Sequence, residues 1–383
     1  MFYITVKQSP MYSQMSLEAF LFQPDAKNRL INSNTANTRT YVRDSLSERF
    51  ASLFSVVDAV KKLEEFNEST EHLRNVERSE LYQTFHIPKR SGGLRRIDTP
   101  KPELMEALRR LKNMFEQDFG ALYHTAAFAY IKDRSTIDAI KRHQENKSKW
   151  FGKFDLADFF GSTTLDFVMS QLDMIFPFSE ICRTPARVEL AKALELAFLN
   201  GGLPQGTPIS PLITNLMMIP IDYRISKDFR KHDRQQFAYT RYADDFIISS
   251  QYDFDVNKIE QHIVKVLRDF NAPFTIKKEK TRYGSSSGRN WNLGVMLNQD
   301  NEITVGHKRK KQFQSMLHNY IVARQSGGGW GLHDIQVLNG LRAYYLMVEP
   351  EAIKNILKHV NEKKGVDVVK MIKEDLRLGG GEN

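Results

Sequence analysis

The stretch that decides the fold is "RYADDFIISS", residues 241–250, in which two adjacent acids stand between an aromatic-rich approach and an apolar exit. A buried carboxylate without a partner costs free energy, so the two acids need a reason to be there. Successive strand residues face opposite sides of a sheet, and neighbouring acids can therefore aim at one site only where the strand turns. The pattern predicts a hairpin over residues 237–250 with Asp244 and Asp245 at its tip.

A second acidic stretch is "KFDLADFF", residues 153–160, which is typical of a buried strand that ends in acids, here Asp155 and Asp158. Carboxylates held close together repel each other unless a cation lies between them. Because the ligands would be oxygen atoms, without a histidine or cysteine set, the pattern favours Mg²⁺ or Mn²⁺. Two such ions would lie about 3.5–4 Å apart. The alternative is that the acids of the "ADD" turn are solvated and only cap the turn.

The rest of the chain alternates between strand-like and helix-like patterns. Two β-prone pieces flank a Ser-Gly-Gly turn and predict a hairpin at residues 83–100, and a further strand is predicted at 273–284. Apolar residues at helical spacing indicate the helices. The predicted helices are, in chain order, 44–66, 101–119, 210–229, 256–270, 305–325 and 350–375.

The composition is that of a globular protein with a basic balance. The 55 lysines and arginines exceed the 46 aspartates and glutamates, which gives a net charge of +9. Such a charge favours a polyanionic partner, and the basic run "KRKK" at 308–311 would suit nucleic acid phosphates; a basic, solvated surface without a partner is the alternative. Residues 1–10 lack the pattern of a secretory signal, and no apolar run approaches the roughly 18 residues of a membrane span.

Cysteine and histidine offer little chemistry in this sequence. Cys182 is the only cysteine, so no internal disulfide can form, and we expect a reducing cytoplasm and no membrane partner. His124, His143 and Cys182 have no metal-like spacing, and we interpret them as structural residues.

Between the two acidic stretches lies "NGGLPQGTPISPLITNL", residues 200–216, a glycine- and proline-rich loop ahead of a helix. Such a loop lets the backbone approach a ligand, and a helix N-terminus favours phosphate, although an ordinary loop before a helix is also possible. The acid strand, "LPQGTPISP" and "YADD", in this order, resemble the palm of a reverse transcriptase. The flanking stretches "IPKRSGGLRRIDTP" (87–100), "AFAYIKDRSTIDAI" (127–140) and "LNGLRAYYLMVEPE" (338–351) are similar to segments of the same family, so the resemblance covers roughly residues 80–350.

The resemblance implies an α+β right-hand polymerase with fingers, a palm built on an antiparallel sheet, and a helical thumb. The implied parts are an N-terminal helical extension (1–79), fingers and palm (80–300), and thumb with C-terminal tail (301–383). The implied activity is RNA-directed DNA synthesis by two-metal phosphoryl transfer. The expected partners are an RNA template, a DNA or RNA primer, dNTPs, and a non-coding RNA or a protein partner.

The family's functional residues match particular positions of this sequence. Asp155, Asp244 and Asp245 match the acids that hold two Mg²⁺ ions. Phe160 matches the aromatic residue that excludes a ribose 2′-hydroxyl. The other matches, all expected to lie near the nucleotide, are Lys89, Arg95, Gln205, Gly206 and Lys280, with Arg96 as a neighbour that could substitute for Arg95. Residues 292–295, "NLGV", match the primer grip.

The type of reverse transcriptase is predicted from differences in chain length and in short motifs between this sequence and other types of the family. The chain is shorter than group II intron enzymes, Ser210-Pro211 differs from the "SQ" of diversity-generating enzymes, and "NLGVMLNQ" lacks the "VTG" of retron enzymes. The favoured interpretation is a stand-alone bacterial enzyme acting in antiphage defence, and a retron-type enzyme is second. An RNA-dependent RNA polymerase is disfavoured by Phe160 and by "YADD" in place of "GDD". A catalytically dead RNA-binding relative is disfavoured because all three acids are present.

Overall fold

The structure is a computed structural model that describes residues 56–89, 92–120, 122–230, 236–286 and 294–379. The start of the predicted helix 44–66, and most of the predicted extension 1–79, lie outside the described residues. The described part of the predicted helix belongs to a helix over Val56–Ser69. Its apolar side, with Leu63 and Phe66, packs into the first hydrophobic core.

The first described part of the chain carries a two-stranded ribbon between helices. Its elements are α1 (Val56–Ser69), α2 (Glu71–Arg74), β1 (Tyr82–Pro88), β2 (Leu94–Pro100), α3 (Pro102–Asn113) and α4 (Thr136–Glu145). Pro102 opens α3 at a position where the missing N–H costs nothing. A capping box of Ser135 and Asp138 begins α4. The predicted hairpin at 83–100 and the predicted helix at 101–119 are confirmed, and the latter ends in a π-helical turn (Met114–Asp118).

The middle part of the chain contributes a four-stranded antiparallel sheet and the helices that cover it. Its elements are β3 (Trp150–Asp155), α5 (Leu165–Leu172), α6 (Phe178–Cys182), α7 (Arg187–Glu195), α8 (Ser210–Met217), α9 (Ile219–Arg230), β4 (Phe237–Tyr242), β5 (Asp245–Ser250), α10 (Val256–Asp269) and β6 (Arg282–Ser285). The strands lie in the order β4-β5-β3-β6. Neither neighbour of β3 precedes it in the chain.

The sheet is buried on both faces, which explains the apolar runs of its strands. Phe154 and Phe246 are cross-strand partners on one face and belong to the first core, which extends from α1 to α10. Phe151 and Ile247 point to the other face and belong to a second core. Because strand side chains alternate, Asp155 and Asp245 lie on the face of the second core, at the end of their strands.

The second core is built by the C-terminal part of the chain, which is helical after a small ribbon. Its elements are β7 (Met296–Leu297), β8 (Ile303–Thr304), α11 (His307–Gln325), α12 (Leu332–Val348), α13 (Pro350–Lys364) and α14 (Val368–Arg377). Phe313, Leu317 and Leu338 are buried between these helices. The predicted helices at 305–325 and 350–375 are confirmed, the second as two helices separated by a left-handed Gly365.

Two predictions of local structure are wrong. The single helix expected over 210–229 is divided at Met218, because Pro220 has no N–H for a continuous helix and instead lies in the first turn of α9. The strand expected over 273–284 is reduced to β6, and Lys278–Lys280 forms a 3-10 turn ahead of it. That turn brings the lysines of this segment to the end of β3.

Candidate active site

The predicted hairpin tip lies at the end of the central strand. β4 and β5 are joined by Ala243 and Asp244, and Ala243 adopts a left-handed φ of 57°. Asp155 of β3 lies directly opposite Asp245 of β5. The N–H of Leu156 donates to the carbonyl oxygen of Asp244 at 3.1 Å. The fold therefore brings Asp155 to the same end of the sheet as Asp244 and Asp245, which follow it by 89 and 90 positions in the sequence.

The three carboxylates are electrostatically crowded. Burial raises the pKa of Asp244 to about 6, and the neighbouring carboxylates of Asp245 and Asp155 add to that shift. Burial also raises the pKa of Asp245, although Lys153 works in the opposite direction. A cation placed between the carboxylates would relieve this repulsion.

Three lysines surround the carboxylates. The Nζ atom of Lys153 lies 2.6 Å from Asp245 Oδ2, and the Nζ atoms of Lys277 and Lys280 lie 3.4 Å and 3.2 Å from Asp155 Oδ1. The side chain of Lys280 is about half exposed, at 51%. Lysine side chains are long and flexible, so these ammonium groups can move away when another cation or a phosphate arrives.

The donor set suits divalent ions with oxygen ligands. Within the described ranges, no three His, Cys, Asp or Glu side chains already converge as a metal-binding set. The carboxylates of Asp155 and Asp245 nevertheless start from opposing strand positions, where Cβ atoms are about 4.5–5.5 Å apart. Rotation of these side chains away from their lysine partners would bring their oxygen atoms onto shared ions. The residues present therefore fit a site of the kind that holds Mg²⁺.

Phe160 lies beside the glycine-rich loop. β3 ends at Asp155, so Phe159 and Phe160 belong to a turn and not to a continued strand. Phe159 is buried in the first core and Phe160 is half-buried. The N–H of Leu203 donates to the Phe160 carbonyl at 2.9 Å. At Gly202, a Cβ would lie 2.2 Å from the Gly161 carbonyl oxygen, so only glycine lets these two loops approach this closely.

The same loop is tied to the ribbon of β1 and β2. The N–H of Asp98 donates to the carbonyl of Gln205 at 2.8 Å, and Gly206, at a φ of 121°, packs against the Asp98 backbone. Lys89 and Arg95 are exposed on the ribbon, near its turn. Arg96 Nε donates to Asp98 Oδ1 at 2.8 Å, so Arg95 is the better placed of the two arginines to meet a ligand.

The remaining predicted positions, in the primer grip and in the basic run, differ in whether the structure describes them and in whether they are exposed. Asn292 and Leu293 of the expected primer grip lie outside the described residues, whereas Val295 is buried in the second core. Within "KRKK", Arg309 donates to the Gly294 carbonyl and Lys310 pairs with Glu349, so Lys308 and Lys311 are its exposed members.

Sequence reasoning missed the buried support of the hairpin. Arg241 and Asp222 form a fully buried ion pair, with Nη2 to Oδ2 at 2.8 Å and Nε to Oδ1 at 2.9 Å. Arg241 Nη1 also donates to the carbonyl of Ala243 at 3.1 Å, and Tyr239 donates to Asp222 at 2.7 Å. The arginine stands in the quoted stretch, but nothing in the pattern identifies its partner, which lies on α9.

Lys153 and Lys277 were also missed, although a signal for Lys153 exists. Lys153 precedes Asp155 by two positions, so both side chains lie on the same face of β3. Lys277 reaches Asp155 because its N–H donates to the Asp155 carbonyl at 2.8 Å, a contact that depends on tertiary structure.

A comparison with family models gives the class of the protein. Residues 87–313 match the model described as reverse transcriptase (RNA-dependent DNA polymerase). This match includes the second ribbon strand β2, the glycine-rich loop, the sheet and the carboxylate cluster, and it covers more than half of the chain. The chain belongs to the reverse transcriptase family, its fold is the α+β right-hand polymerase fold, and it is an RNA-directed DNA polymerase. These predictions of fold and activity are confirmed.

Individual relatives are retron enzymes. The chain is 29% identical over 301 residues to the retron Ec83 reverse transcriptase of Escherichia coli, which covers 76% of this chain and 90% of that protein. It is 28% identical over 271 residues to the retron Ec73 reverse transcriptase of the same species, over 69% of this chain and 82% of that protein.

Among solved structures, the chain is similar to telomerase from Candida albicans, at 13% identity and a TM-score of 0.44, over 76% of this chain and 56% of that one. In the described part of the chain, the helices are too short or too polar to cross a membrane.

Proposed function

We propose that this reverse transcriptase is of the retron type and makes DNA from a dedicated non-coding RNA. The two Escherichia coli retron enzymes match it along 76% and 69% of its length, which supports this interpretation over a stand-alone enzyme. The sequence interpretation had put the two types in the opposite order because "NLGVMLNQ" lacks "VTG". A difference confined to one short motif weighs less than similarity along most of the chain.

The chemistry of the site is two-metal phosphoryl transfer. The observation that carries this proposal is the register that places Asp155 opposite Asp245, with the Asp244 carbonyl bonded to Leu156. Asp155, Asp244 and Asp245 would hold two divalent ions, and the oxygen-only ligand set favours Mg²⁺, with Mn²⁺ as a substitute. When bound, the ions supply neutralisation of the charge that develops on the primer 3′-oxygen and on the leaving pyrophosphate.

The neighbouring residues bind and orient the nucleotide. Lys89 and Arg95 on the exposed ribbon hold the triphosphate. Gln205 and Gly206 support the incoming nucleotide and the template, since their loop is bonded to both the ribbon and the Phe160 turn. Lys280, already within 3.2 Å of Asp155, donates a proton to the pyrophosphate. Phe160 excludes the ribose 2′-hydroxyl.

The three-part organisation belongs to the same proposal. We keep the division into an extension (1–79), fingers with palm (80–300) and thumb with tail (301–383). Most residues of the second core come from Val295 onward, which supports the last boundary. The packing of α1 into the first core indicates that the C-terminal part of the extension is joined firmly to the fingers and palm.

The proposed partners rest on the net charge of the chain and on its similarity to retron enzymes. The net charge of +9 suits an RNA template with a DNA or RNA primer, held together with a non-coding RNA or a protein partner. We place this assembly in the cytoplasm, in agreement with a single, buried cysteine, Cys182. We propose antiphage defence as its role.

The experiment that tests this proposal starts with the nucleic acid that accompanies the protein. The purified protein is deproteinised and its RNA and DNA are sequenced, and in parallel it extends a primer on an RNA template with Mg²⁺, with Mn²⁺ or with a chelator. We expect one abundant non-coding RNA linked to a DNA copy, and extension that stops with the chelator. A heterogeneous RNA population without a DNA copy would overturn the retron assignment, and extension that persists with the chelator would overturn the two-metal site.

A further inference from the structure

Tyr130 is an aromatic residue in an unusual backbone conformation. Its φ is 61°, in the left-handed region that a bulky side chain rarely adopts, and its side chain is 57% exposed. An exposed aromatic ring that occupies a costly conformation gains nothing for the core. Such a conformation persists only where the surrounding structure imposes it, and it is frequent at functional sites.

The segment that carries Tyr130 is fixed by hydrogen bonds from three directions. Asn215 of α8 donates to the carbonyl of Ala129 at 2.8 Å. Arg134 Nη1 donates to the carbonyls of His124 and Ala127 at 2.6 Å and 2.7 Å. The backbone of Arg241 also bonds this segment on both sides, at Ala126 and Phe128. The position of Tyr130 is therefore set by the hairpin strand and by the helix after the glycine-rich loop.

The ring of Tyr130 lies at the mouth of the proposed nucleotide site. It meets the ring of Phe160 edge to face, with the centroids 6.5 Å apart. Partial desolvation of its phenol raises the pKa of Tyr130, and the Asp244 carboxylate adds to the shift while Arg95 opposes it. The phenol is thus an electrostatic neighbour of the carboxylate cluster and of the ribbon arginine.

Phe160 needs such a neighbour because no strand fixes its ring. β3 ends five residues earlier, and the turn leaves the half-buried Phe160 side chain between two other rings. Phe159 lies on the core side, with centroids 5.7 Å apart, and Tyr130 lies on the exposed side. Without Tyr130, the Phe160 ring could turn toward solvent and open room at the sugar.

We propose that Tyr130 is a positioning residue that holds the Phe160 ring in place and so determines the choice of deoxyribonucleotides over ribonucleotides. This inference rests on the proposed function, since it assigns Phe160 to the sugar of the incoming nucleotide. The discrimination then comes from a pair of rings, one from the turn after β3 and one from the segment before α4.

The test compares primer extension with dNTPs and rNTPs in three variants. Tyr130→Gly removes the ring and suits a φ of 61°, so the fold is preserved. We expect the ratio of kcat/KM for dNTP to that for rNTP to fall about 3- to 10-fold, the range of one aromatic pair. Tyr130→Phe keeps the ring and should keep the ratio. Tyr252→Ala removes an equally exposed tyrosine (60%) beyond the far end of β5 and should leave the ratio unchanged.

A double-variant cycle with Phe160→Ala separates positioning from a merely structural role. If Tyr130 acts through Phe160, Tyr130→Gly changes the ratio in the wild type and leaves it unchanged in the Phe160→Ala background. A structural role would lower both activities equally and leave the ratio at its wild-type value, which would overturn the inference alone. If the wild type makes no DNA, or makes as much after Asp155→Asn, the proposed function fails and the inference falls with it.

Discussion

The two sides of the β4–β5 hairpin hold charge in opposite ways. Behind it, Asp222 and Arg241 are fully buried and satisfy each other in a bidentate pair, with Tyr239 and the Ala243 carbonyl as further partners. In front of it, Asp155, Asp244 and Asp245 crowd together beside lysines that remain partly exposed. Charge that the protein matches internally stabilises the fold, whereas charge left in excess is available to a ligand from outside.

The pKa shifts express the same contrast. Burial alone would lower the pKa of Arg241, but the Asp222 carboxylate more than offsets it, so the net shift is upward and Arg241 stays charged. At the front, burial and the other carboxylates both act against ionisation of Asp244. The charges behind the hairpin are therefore balanced without a ligand, whereas the carboxylate charges in front of it are not.

The largest expected effect is a loss of DNA synthesis when a carboxylate in front of the hairpin is replaced. Asp244→Asn or Asp155→Asn should reduce DNA synthesis by at least about 10⁴-fold, about 5.5 kcal/mol, because the site loses one ligand for the metal ions that would neutralise the transition-state charge. For Asp244→Asn, the thermal midpoint measured without divalent ions should stay the same or rise, since a crowded charge is removed. Asp269→Asn, at an exposed carboxylate on α10, is the control and should retain activity. A folded, active Asp244→Asn enzyme would show that the site lies elsewhere.

Behind the hairpin, replacing a member of the Asp222–Arg241 pair should lower the stability of the fold. Asp222→Asn leaves the Arg241 charge buried without its counter-charge, and we expect the free energy of unfolding to fall by about 3–5 kcal/mol in urea titrations. The double variant Asp222→Leu with Arg241→Met should recover part of this loss, because an apolar pair needs no charge compensation, while the Tyr239 hydroxyl and the Ala243 carbonyl lose these partners. Equal stability of Asp222→Asn and the wild type would remove the contrast between the two sides.

A third prediction concerns pH and His143, which lies on the second-core face of β4 and β5. His143 shares hydrogen bonds with Ser249 at 2.5 Å and with Thr240 at 2.8 Å, and burial, with a contribution from Arg142, lowers its pKa to about 3. The unfolded chain binds a proton near pH 6.5 that the folded chain does not, so stability falls with pH below that value. By pH 5 the loss is about 2 kcal/mol.

The measurement for His143 is denaturation of the wild type and His143→Gln between pH 7.5 and pH 5. Glutamine does not titrate, so the difference between the two curves isolates the histidine, although the buried His124 titrates in the same direction in both proteins. Parallel curves would contradict a neutral, buried His143.

The smallest effect separates two adjacent rings. Phe160→Ala should raise ribonucleotide incorporation relative to deoxyribonucleotide incorporation by about 10-fold, because a 2′-hydroxyl then finds room and solvent. Phe159→Ala should instead lower the free energy of unfolding, by about 3–5 kcal/mol, since Phe159 lies in the first core. The same change of sugar preference in both variants would show that neither ring acts as a gate.

What the sequence predicted follows from local physical rules. The alternation and the turn at 237–250 predicted the hairpin, and the apolar run before Asp155 predicted the acid strand, because both depend on neighbours in the chain. Pro220 was visible, but the apolar residues on both sides of it suggested one helix. The lysines of 273–284 looked like part of a strand, whereas hydrogen bonds to β3 place them in a tight turn.

What the sequence did not reveal depends on residues distant in the chain. Asp222 meets Arg241 across the packing of α9 on β4, and Tyr130 meets Phe160 through bonds from Asn215 and Arg241. No spacing rule relates these positions, since each contact exists only after the sheet and its covering helices have assembled. The resemblance to the family implied roles for the matched residues, but it did not identify the residues that hold them in position.

The order of strands in the sheet has a consequence for synthesis on the ribosome. β3 lies between β5 and β6, and both are translated after it. At about 5–20 residues per second, the roughly 95 residues from Asp155 to Ser250 take about 5–20 s. During that interval β3 presents two unpaired edges, with Phe151 and Phe154 uncovered on its faces. A nascent chain halted before residue 237 would therefore need chaperone protection against aggregation, and no part of the carboxylate cluster could form until the hairpin emerged.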